Sequence, residues 1–293
     1  VKVLRTRSDL AWLADGTRPR PLVLVPTMGA LHDGHLALVR HAERLGTAVV
    51  SIFVNPLQFS PGEDLASYPR DLAGDLEQLA ALDTAAVFAP EAEEMFRGRS
   101  GVTVQPGPRA EPLCGADRPQ HFAGVLTIVA KLLNLVKPDI VVLGRKDAQQ
   151  CLVIDEMVFD LDYRVRVVDH PTVRDADGLA LSSRNRYLDG PQRKRALALF
   201  RALRRAEAVL QAGERAPGAV CAAMRGELAA TDRVEYAEVR TVPDLQVPER
   251  ATGKLLLAVA ARVGPARLID NFVLQADENG CRPAALLSDE EDG

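Results

Sequence analysis

Between residues 21 and 173, short apolar runs rich in Val and Ile alternate with stretches of helical period, and nothing else in the chain limits its fold so tightly. The runs "PLVLVPT", "AVVSIFVN", "AAVFAP", "IVVLG" and "YRVRVVDHPTV" have the length and composition of strands. Between them, "HLALVRHAERLG", "DLAGDLEQLAALD", "FAGVLTIVAKLLNLVKPD" and "DAQQCLVIDEMVFDL" carry apolar residues at the i, i+3, i+4 spacing of helices. Strands that alternate with helices form a parallel sheet covered by those helices. The chain is therefore expected to be an α/β protein with a Rossmann-like parallel sheet domain over residues 1–172.

After residue 173 the pattern changes. "PQRKRALALFRALRRAEAVLQAG" reads as one amphipathic helix with Ala196, Leu199, Leu203, Ala206 and Leu210 on a single face, and "PGAVCAAMRGELAAT" as a second. Three strand candidates follow: "VEYAEVRTV", "KLLLAVAARVG" and "ARLIDNFVL". This predicts a smaller α+β C-terminal domain over residues 173–276, within the usual domain size range. The last stretch, 277–293, ends in "SDEEDG" and is expected to be a disordered acidic tail.

Of the 293 residues 47% are apolar, enough for two cores, and the formal net charge of −4 gives no general attraction to nucleic acid or to an anionic membrane. Any phosphate chemistry must come from local cations. The four cysteines make no C-x-x-C pair, which argues against a zinc ribbon or redox motif and fits a reducing, cytoplasmic compartment. The stretch "VKVLRTRSDLAWLADG" lacks the apolar core of a signal peptide, and no apolar run approaches ~20 residues, so no membrane partner is expected.

Four clusters lie at predicted strand ends, where ligands of open α/β sheets bind. "PTMGALHDGHLALV" concentrates His32 and His35, two of only five histidines, where a strand hands over to a helix whose free N–H groups favour an anion. Gly34 between them removes a side chain that would keep a nucleotide away. Taken alone, such a pair is more often two surface residues; half of a metal site is the weaker alternative, because no third histidine or cysteine lies nearby in sequence. "FVNPLQF" places Asn55 and Gln58 after a strand, where amides suit hydroxyl and carboxylate groups; it also suits a simple strand-ending turn. "LGRKDAQQ" offers Lys146 for a phosphate, Asp147 for ribose hydroxyls, and Gln149 and Gln150 for a polar substrate, or else an ordinary helix start. "ADGLALSSRNRYL" sets Ser182 and Ser183 beside Arg184 in a loop expected to be mobile, forming a phosphate clamp or a helix cap.

The segments "PTMGALHDGHLALV", "FVNPLQF", "RPQHFAGV", "GRKDAQQ" and "DGLALSSRNRYL", in that order, resemble the pantothenate synthetase family, ligases that join pantoate to β-alanine using ATP. The likeness runs from about residue 20 to 275. The histidine motif alone says only nucleotidyl transfer, because the wider nucleotidyltransferase superfamily shares it; the other segments narrow it to this family.

The resemblance implies a two-step reaction: pantoate attacks the α-phosphorus of ATP, pyrophosphate leaves, and β-alanine then displaces AMP from an enzyme-bound pantoyl adenylate. It further implies that His35, His32, Lys146 and Arg184 are catalytic, with His35 a proton donor. ATP would be held by Pro26, Thr27, Met28, Gly29, Ala30, His32, Gly34, His35, Gly144, Lys146, Asp147, Val173, Leu181, Ser182, Ser183 and Arg184. Gln58, Gln150 and Asn55 would take pantoate, and Gln58 also β-alanine. Mg²⁺ is implied on the triphosphate, with no dedicated protein cage and at most help from Asp75. The smaller domain would act as a lid, and a homodimer is expected. Arg145 and Leu181 depart from the family's frequent Glu and Met, and Arg145 adds a cation near the expected phosphates. His121 is expected to support structure, His41 and His170 to be incidental, and Cys114 to be an ordinary buried cysteine. Two other readings are a nucleotidyltransferase that keeps the nucleotide in its product and a nucleotide-sensing protein without turnover.

Overall fold

The computed structural model describes residues 1–13, 20–99 and 101–287, and the chain divides into two units, described separately below. The first comprises residues 1–144 with 149–170, the second 145–148 with 171–293. The boundary thus falls at 170, and the four residues Arg145–Ala148 group with the later part of the chain rather than with the strand before them.

The first unit is a six-stranded parallel sheet. In chain order its elements are β1 (Lys2–Leu4), β2 (Leu22–Thr27), α1 (Asp33–Leu45), β3 (Thr47–Ile52), α2 (Leu72–Ala80), β4 (Ala86–Phe88), α3 (Ala92–Phe96), α4 (Cys114–Asp117), α5 (His121–Val136), β5 (Ile140–Gly144), α6 (Ala148–Asp160) and β6 (Arg166–His170). The sheet order is β1-β4-β3-β2-β5-β6. Leu22, Val23, Leu24 and Val25 are all fully buried, as a parallel strand covered on both faces requires. The chain runs outward from β2 through β3 to β4, then returns to the other side of β2 as β5, which puts the topological switch point between β2 and β5.

A proline opens that point. β2 pairs with β3 along its whole length but with β5 only at Val23 and Leu24. The Leu22 carbonyl faces β5, accepting from Asp139 N, while the Thr27 carbonyl faces β3, accepting from Phe53 N. Alternate residues of a strand face the same neighbour, so the N–H that Pro26 lacks is one that would have gone to β5.

The second unit contains α7 (Gly190–Ala196), α8 (Ala198–Gln211), α9 (Pro217–Leu228) and a four-stranded antiparallel sheet of β7 (Arg233–Thr241), β8 (Gly253–Val263), β9 (Ala266–Asp277) and β10 (Gly280–Pro283), in the order β10-β9-β8-β7. Its core joins Leu199, Leu203 and Leu210 of α8 and Val220 and Met224 of α9 to Leu255, Leu257 and Val259 of β8. The expected single helix over 191–213 is two helices that meet at Leu197.

The expected disordered tail from 277 is corrected as well. Residues 280–283 form β10 on β9, Leu286 and Leu287 are buried, and the Leu286 carbonyl accepts from Lys254 Nζ at 2.9 Å. Two apolar residues with a place in the core outweigh the acidic composition that follows them. Residues 288–293 lie outside the described residues.

Candidate active site

The turn after β2 is built around one buried carboxylate. Gly29 (φ 80°) and Ala30 (φ 50°) both have left-handed backbone, and a Cβ at Gly29 would lie 3.0 Å from both Asp75 Oδ2 and Ile52 Cγ2. Asp75, in α2 and 2% exposed, accepts from Ala30 N at 2.9 Å and Leu31 N at 2.7 Å. The Thr27 hydroxyl donates to the Ser51 carbonyl and accepts from Gly29 N. Asp75 was expected at most to assist Mg²⁺; both its oxygens instead hold this turn, which a charged acceptor does strongly.

The turn delivers His32 to the N-cap of α1, where Nδ1 accepts from Gly34 N at 3.1 Å. An accepting Nδ1 leaves the ring proton on Nε2, so the outer edge of His32 is a hydrogen-bond donor. The His35 ring stacks on it with centroids 4.0 Å apart. Both imidazoles therefore stand at the start of a helix beside the switch point, where an anion is favoured.

Asn55 and Gln58 form a second turn, linked to the first. Asn55 caps the 3₁₀ turn Pro56–Gln58: its Oδ1 accepts from Leu57 N, and its Nδ2 donates to Gln58 Oε1 at 2.9 Å and to the Gly124 carbonyl at 3.1 Å. At 1% exposure Asn55 is buried among these partners and orients Gln58. Gln58 Nε2 donates to Met28 Sδ at 3.4 Å. The main-chain carbonyl of Gln58 accepts from His121 Nδ1 at 2.9 Å and Arg118 Nη2 at 3.2 Å, while Arg118 pairs with Glu63 at 2.5 Å. Burial raises the Glu63 pKa, but the hydrogen bonds and charge of Arg118, together with the Ser60 N–H and His121, outweigh it and hold the carboxyl below its ordinary value. α5 approaches so closely that a Cβ at Gly124 would sit 2.2 Å from the Leu57 carbonyl oxygen. Arg118, His121 and Gly124 all belong to "DRPQHFAGV", and polar residues opening an otherwise apolar helix are the signal that marks them.

The two glutamines of α6 part company. Gln149 is consumed internally, accepting from Cys114 N and donating to the carbonyls of Arg109 and Pro112. Gln150 is half-buried and makes no hydrogen bond to Asn55, Gln58 or either histidine. Gly144 ends β5 beside His170 of β6. His41 and His170 meet edge-on at 5.4 Å, and Arg44 contacts His41 Nδ1 at 3.0 Å.

The second unit gathers the cationic residues. Lys146 lines a small cavity with Ser182, Asn185 and Asp270. The Lys146 ammonium forms no hydrogen bond or ion pair among the described residues. Burial holds its pKa below the ordinary lysine value; Asp147 and Asp270 oppose that shift and Arg184 reinforces it. Asp270 is 4% exposed and held by Arg174 at 2.6 and 2.8 Å; burial raises its pKa against the Arg174 hydrogen bonds.

Ser182 caps the 3₁₀ turn Ser183–Tyr187 by accepting from Arg184 N, whereas the helix opening with "PQRKRALA" is capped by Asp189; Ser183 is buried. The chain leading into these serines turns as a hairpin: Arg174 bridges Ala180, and the Val173 carbonyl accepts from Leu181 N at 3.0 Å. Arg145, expected to add a cation near phosphates, donates from Nη1 to the Ala284 carbonyl at 3.3 Å. Asp270, Asn271 and Arg174 were not singled out from the sequence. The signal for Asp270 and Asn271 lies in "RLIDNFVL", where two adjacent polar residues interrupt a strand's alternation; Arg174, in "PTVRDADG", carries no such mark.

The profile of the Pantoate-beta-alanine ligase family matches residues 2–273. The chain belongs to this family. A pantothenate synthetase of Carboxydothermus hydrogenoformans is 47% identical over 283 residues, covering 94% of this chain and 98% of its own. One from Halorhodospira halophila is 52% identical, covering 89% of this chain and 92% of its own. Among solved structures, pantothenate synthetase of Thermus thermophilus superposes with a TM-score of 0.88 at 42% identity, over 92% of this chain and 98% of its own. Pantoate-β-alanine ligase of Francisella tularensis, solved with β-γ ATP and β-alanine, gives a TM-score of 0.78 at 29% identity, over 93% and 97%. The six-stranded parallel sheet and the separate antiparallel unit are thus the architecture of pantoate-β-alanine ligases.

Proposed function

We propose that the chain ligates pantoate to β-alanine at the expense of ATP, through an enzyme-bound pantoyl adenylate, releasing pyrophosphate and then AMP. The observation that carries this reading is the family match over residues 2–273. A carboxylate is inert to amines, so its oxygen must first become a good leaving group. Adenylation provides that, and the protein contributes chiefly position and charge.

His32 is assigned to donate through Nε2–H to the phosphates, and His35 to supply a proton as charge collects on pyrophosphate. The turn of Pro26, Thr27, Met28, Gly29 and Ala30, with Gly34 and Gly144, is assigned to the nucleotide. Lys146 takes the charge of the transferred group, Asp147 the ribose, and Val173 and Leu181 the adenine side; Ser182, Ser183 and Arg184 take the outer phosphates. Among the described residues no three His, Cys, Asp or Glu side chains are grouped to hold an ion, and Asp75 serves the turn. In this reading Mg²⁺ travels on the triphosphate. No described helix is long and apolar enough to cross a membrane; a cytoplasmic homodimer is the assembly this reading adopts.

Pantoate alone is expected to support exchange of labelled pyrophosphate into ATP. A requirement for β-alanine in that exchange would rule out a free-standing adenylation step. A separate assay of AMP release distinguishes this reading from a nucleotidyltransferase that keeps AMP in its product, because free AMP should appear when β-alanine is added.

Gln58 and Gln150 are assigned to pantoate, with Gln58 also meeting β-alanine and Asn55 acting through Gln58. The Gln58 amide is already oriented by Asn55 and Met28, which favours a ligand whose hydroxyls and carboxylate match it. Gln58→Ala and Gln150→Ala are each expected to raise the pantoate KM by about 10-fold, roughly 1.4 kcal/mol. Calorimetric ATP binding should hardly change. Loss of ATP affinity with pantoate KM intact would move the acid pocket elsewhere.

A further inference from the structure

We propose that Asn271 is a positioning residue for adenylation, fixing where the Lys146 ammonium stands by gripping the backbone on both sides of that residue. The inference rests on the role assigned to Lys146 above and adds a residue that the reaction scheme leaves unused.

Asn271 sits in the middle of β9, opposite Ala258 of β8, and is 6% exposed. Its two amide hydrogens are both spent on the turn after β5: Nδ2 donates to the Arg145 carbonyl at 3.0 Å and to the Lys146 carbonyl at 2.8 Å. These carbonyls belong to the two peptide planes that flank the Lys146 α-carbon. Planar peptides leave only φ and ψ free between them, so holding both planes fixes the direction in which the lysine side chain departs. An amide inside a rigid central strand is a firmer anchor for this than the short 3₁₀ turn Arg145–Asp147 provides for itself.

The neighbouring residue completes the arrangement. The Asn271 N–H donates to Asp270 Oδ1 at 2.8 Å, and Arg174 clamps the same carboxylate, with its guanidinium 4.9 Å and 5.3 Å from the Phe200 and Phe272 ring centroids. Asp270 thus arrives at the Lys146 cavity with its charge largely balanced by Arg174. Asp147, Asp270 and Arg184 are the charged groups that face Lys146. None of them holds the ammonium in a hydrogen bond, so the backbone sets where the side chain starts and the cavity lined by Ser182, Asn185 and Asp270 confines the rest of it.

The test is a double-mutant cycle read by single-turnover adenylation of pantoate. Asn271→Ala should slow adenylation by about 10-fold, because displacement of a charge-bearing group by even ~1 Å is costly, while ATP dissociation constants move less than about threefold. In a Lys146→Ala background the same substitution should have almost no further effect, since there is no ammonium left to misplace. Equal losses in both backgrounds would overturn the proposal and leave Asn271 a residue of general structure. If Lys146→Ala itself leaves the rate unchanged, the failure lies in the role assigned to Lys146 instead. Asn271→Ser is run in parallel; failure of both variants to fold would likewise overturn a role confined to positioning.

Discussion

Lys146→Ala is expected to lower the single-turnover rate of pantoate adenylation by roughly 10²-fold or more, the scale of losing one preorganised electrostatic donor. ATP binding should weaken far less, because the charge matters most while the α-phosphorus exchanges oxygens. Two observations support so large an effect. The ammonium has no partner among the described residues, so its charge is not spent within the protein, and it stands in a cavity where burial enlarges Coulomb interactions. The same burial gives the prediction a pH signature. With its pKa held below the ordinary lysine value, Lys146 loses its proton earlier on the alkaline side than an exposed lysine would. Adenylation should therefore decline as pH rises through that depressed pKa, and Lys146→Arg, which stays charged, should move the decline to higher pH even where its absolute rate is lower. An alkaline limb at the same pH in the arginine variant would assign the limb to another group.

Asp75→Ala should cost adenylation a comparable factor without the residue touching any substrate. Its carboxylate satisfies the N–H groups of Ala30 and Leu31, both 1% exposed, and hydrogen bonds to a charged acceptor contribute about 1.5–3 kcal/mol each. Removing it leaves two buried donors unpaired next to a left-handed Ala30, and the turn that sets the N-cap position of His32 should relax. We expect adenylation to fall about 10²-fold, since misplacement by ~1 Å suffices for that, together with a measurable drop in Tm. Raising Mg²⁺ separates this account from a metal-ligand role: rescue of the rate by Mg²⁺ would favour the ligand role, whereas a relaxed turn gains nothing from it.

These two residues also mark where sequence reading succeeded and where it stopped. β2, β3 and β5 were legible because residues such as Val23, Val49 and Val142 are buried in a sheet covered on both faces, which favours apolar runs. The place of His32 and Lys146 at the ends of such runs followed from the same pattern. Function within a turn did not follow, because Asp75 lies 45 residues from the Ala30 N–H it accepts from, and no periodicity encodes that pairing. Asn55 shows the same limit. Its residue type fits a ligand contact and a turn cap equally well, and the cap shows only once its buried partners Leu57, Gln58 and Gly124 are seen. Leu286 and Leu287 were obscured by their neighbours, since composition averages over the window that contains "SDEEDG".

The grouping of Arg145–Ala148 with the second unit bears on how the gene can be dissected. The boundary at residue 170 invites expression of everything after it as a separable cassette. Such a fragment would begin downstream of the four-residue segment whose first two carbonyls Asn271 holds. Its β9 would then expose two amide hydrogens with nothing to receive them, beside an aspartate that has lost the lysine facing it. The second unit is discontinuous in the gene, and a faithful excision must graft the 145–148 segment back onto it.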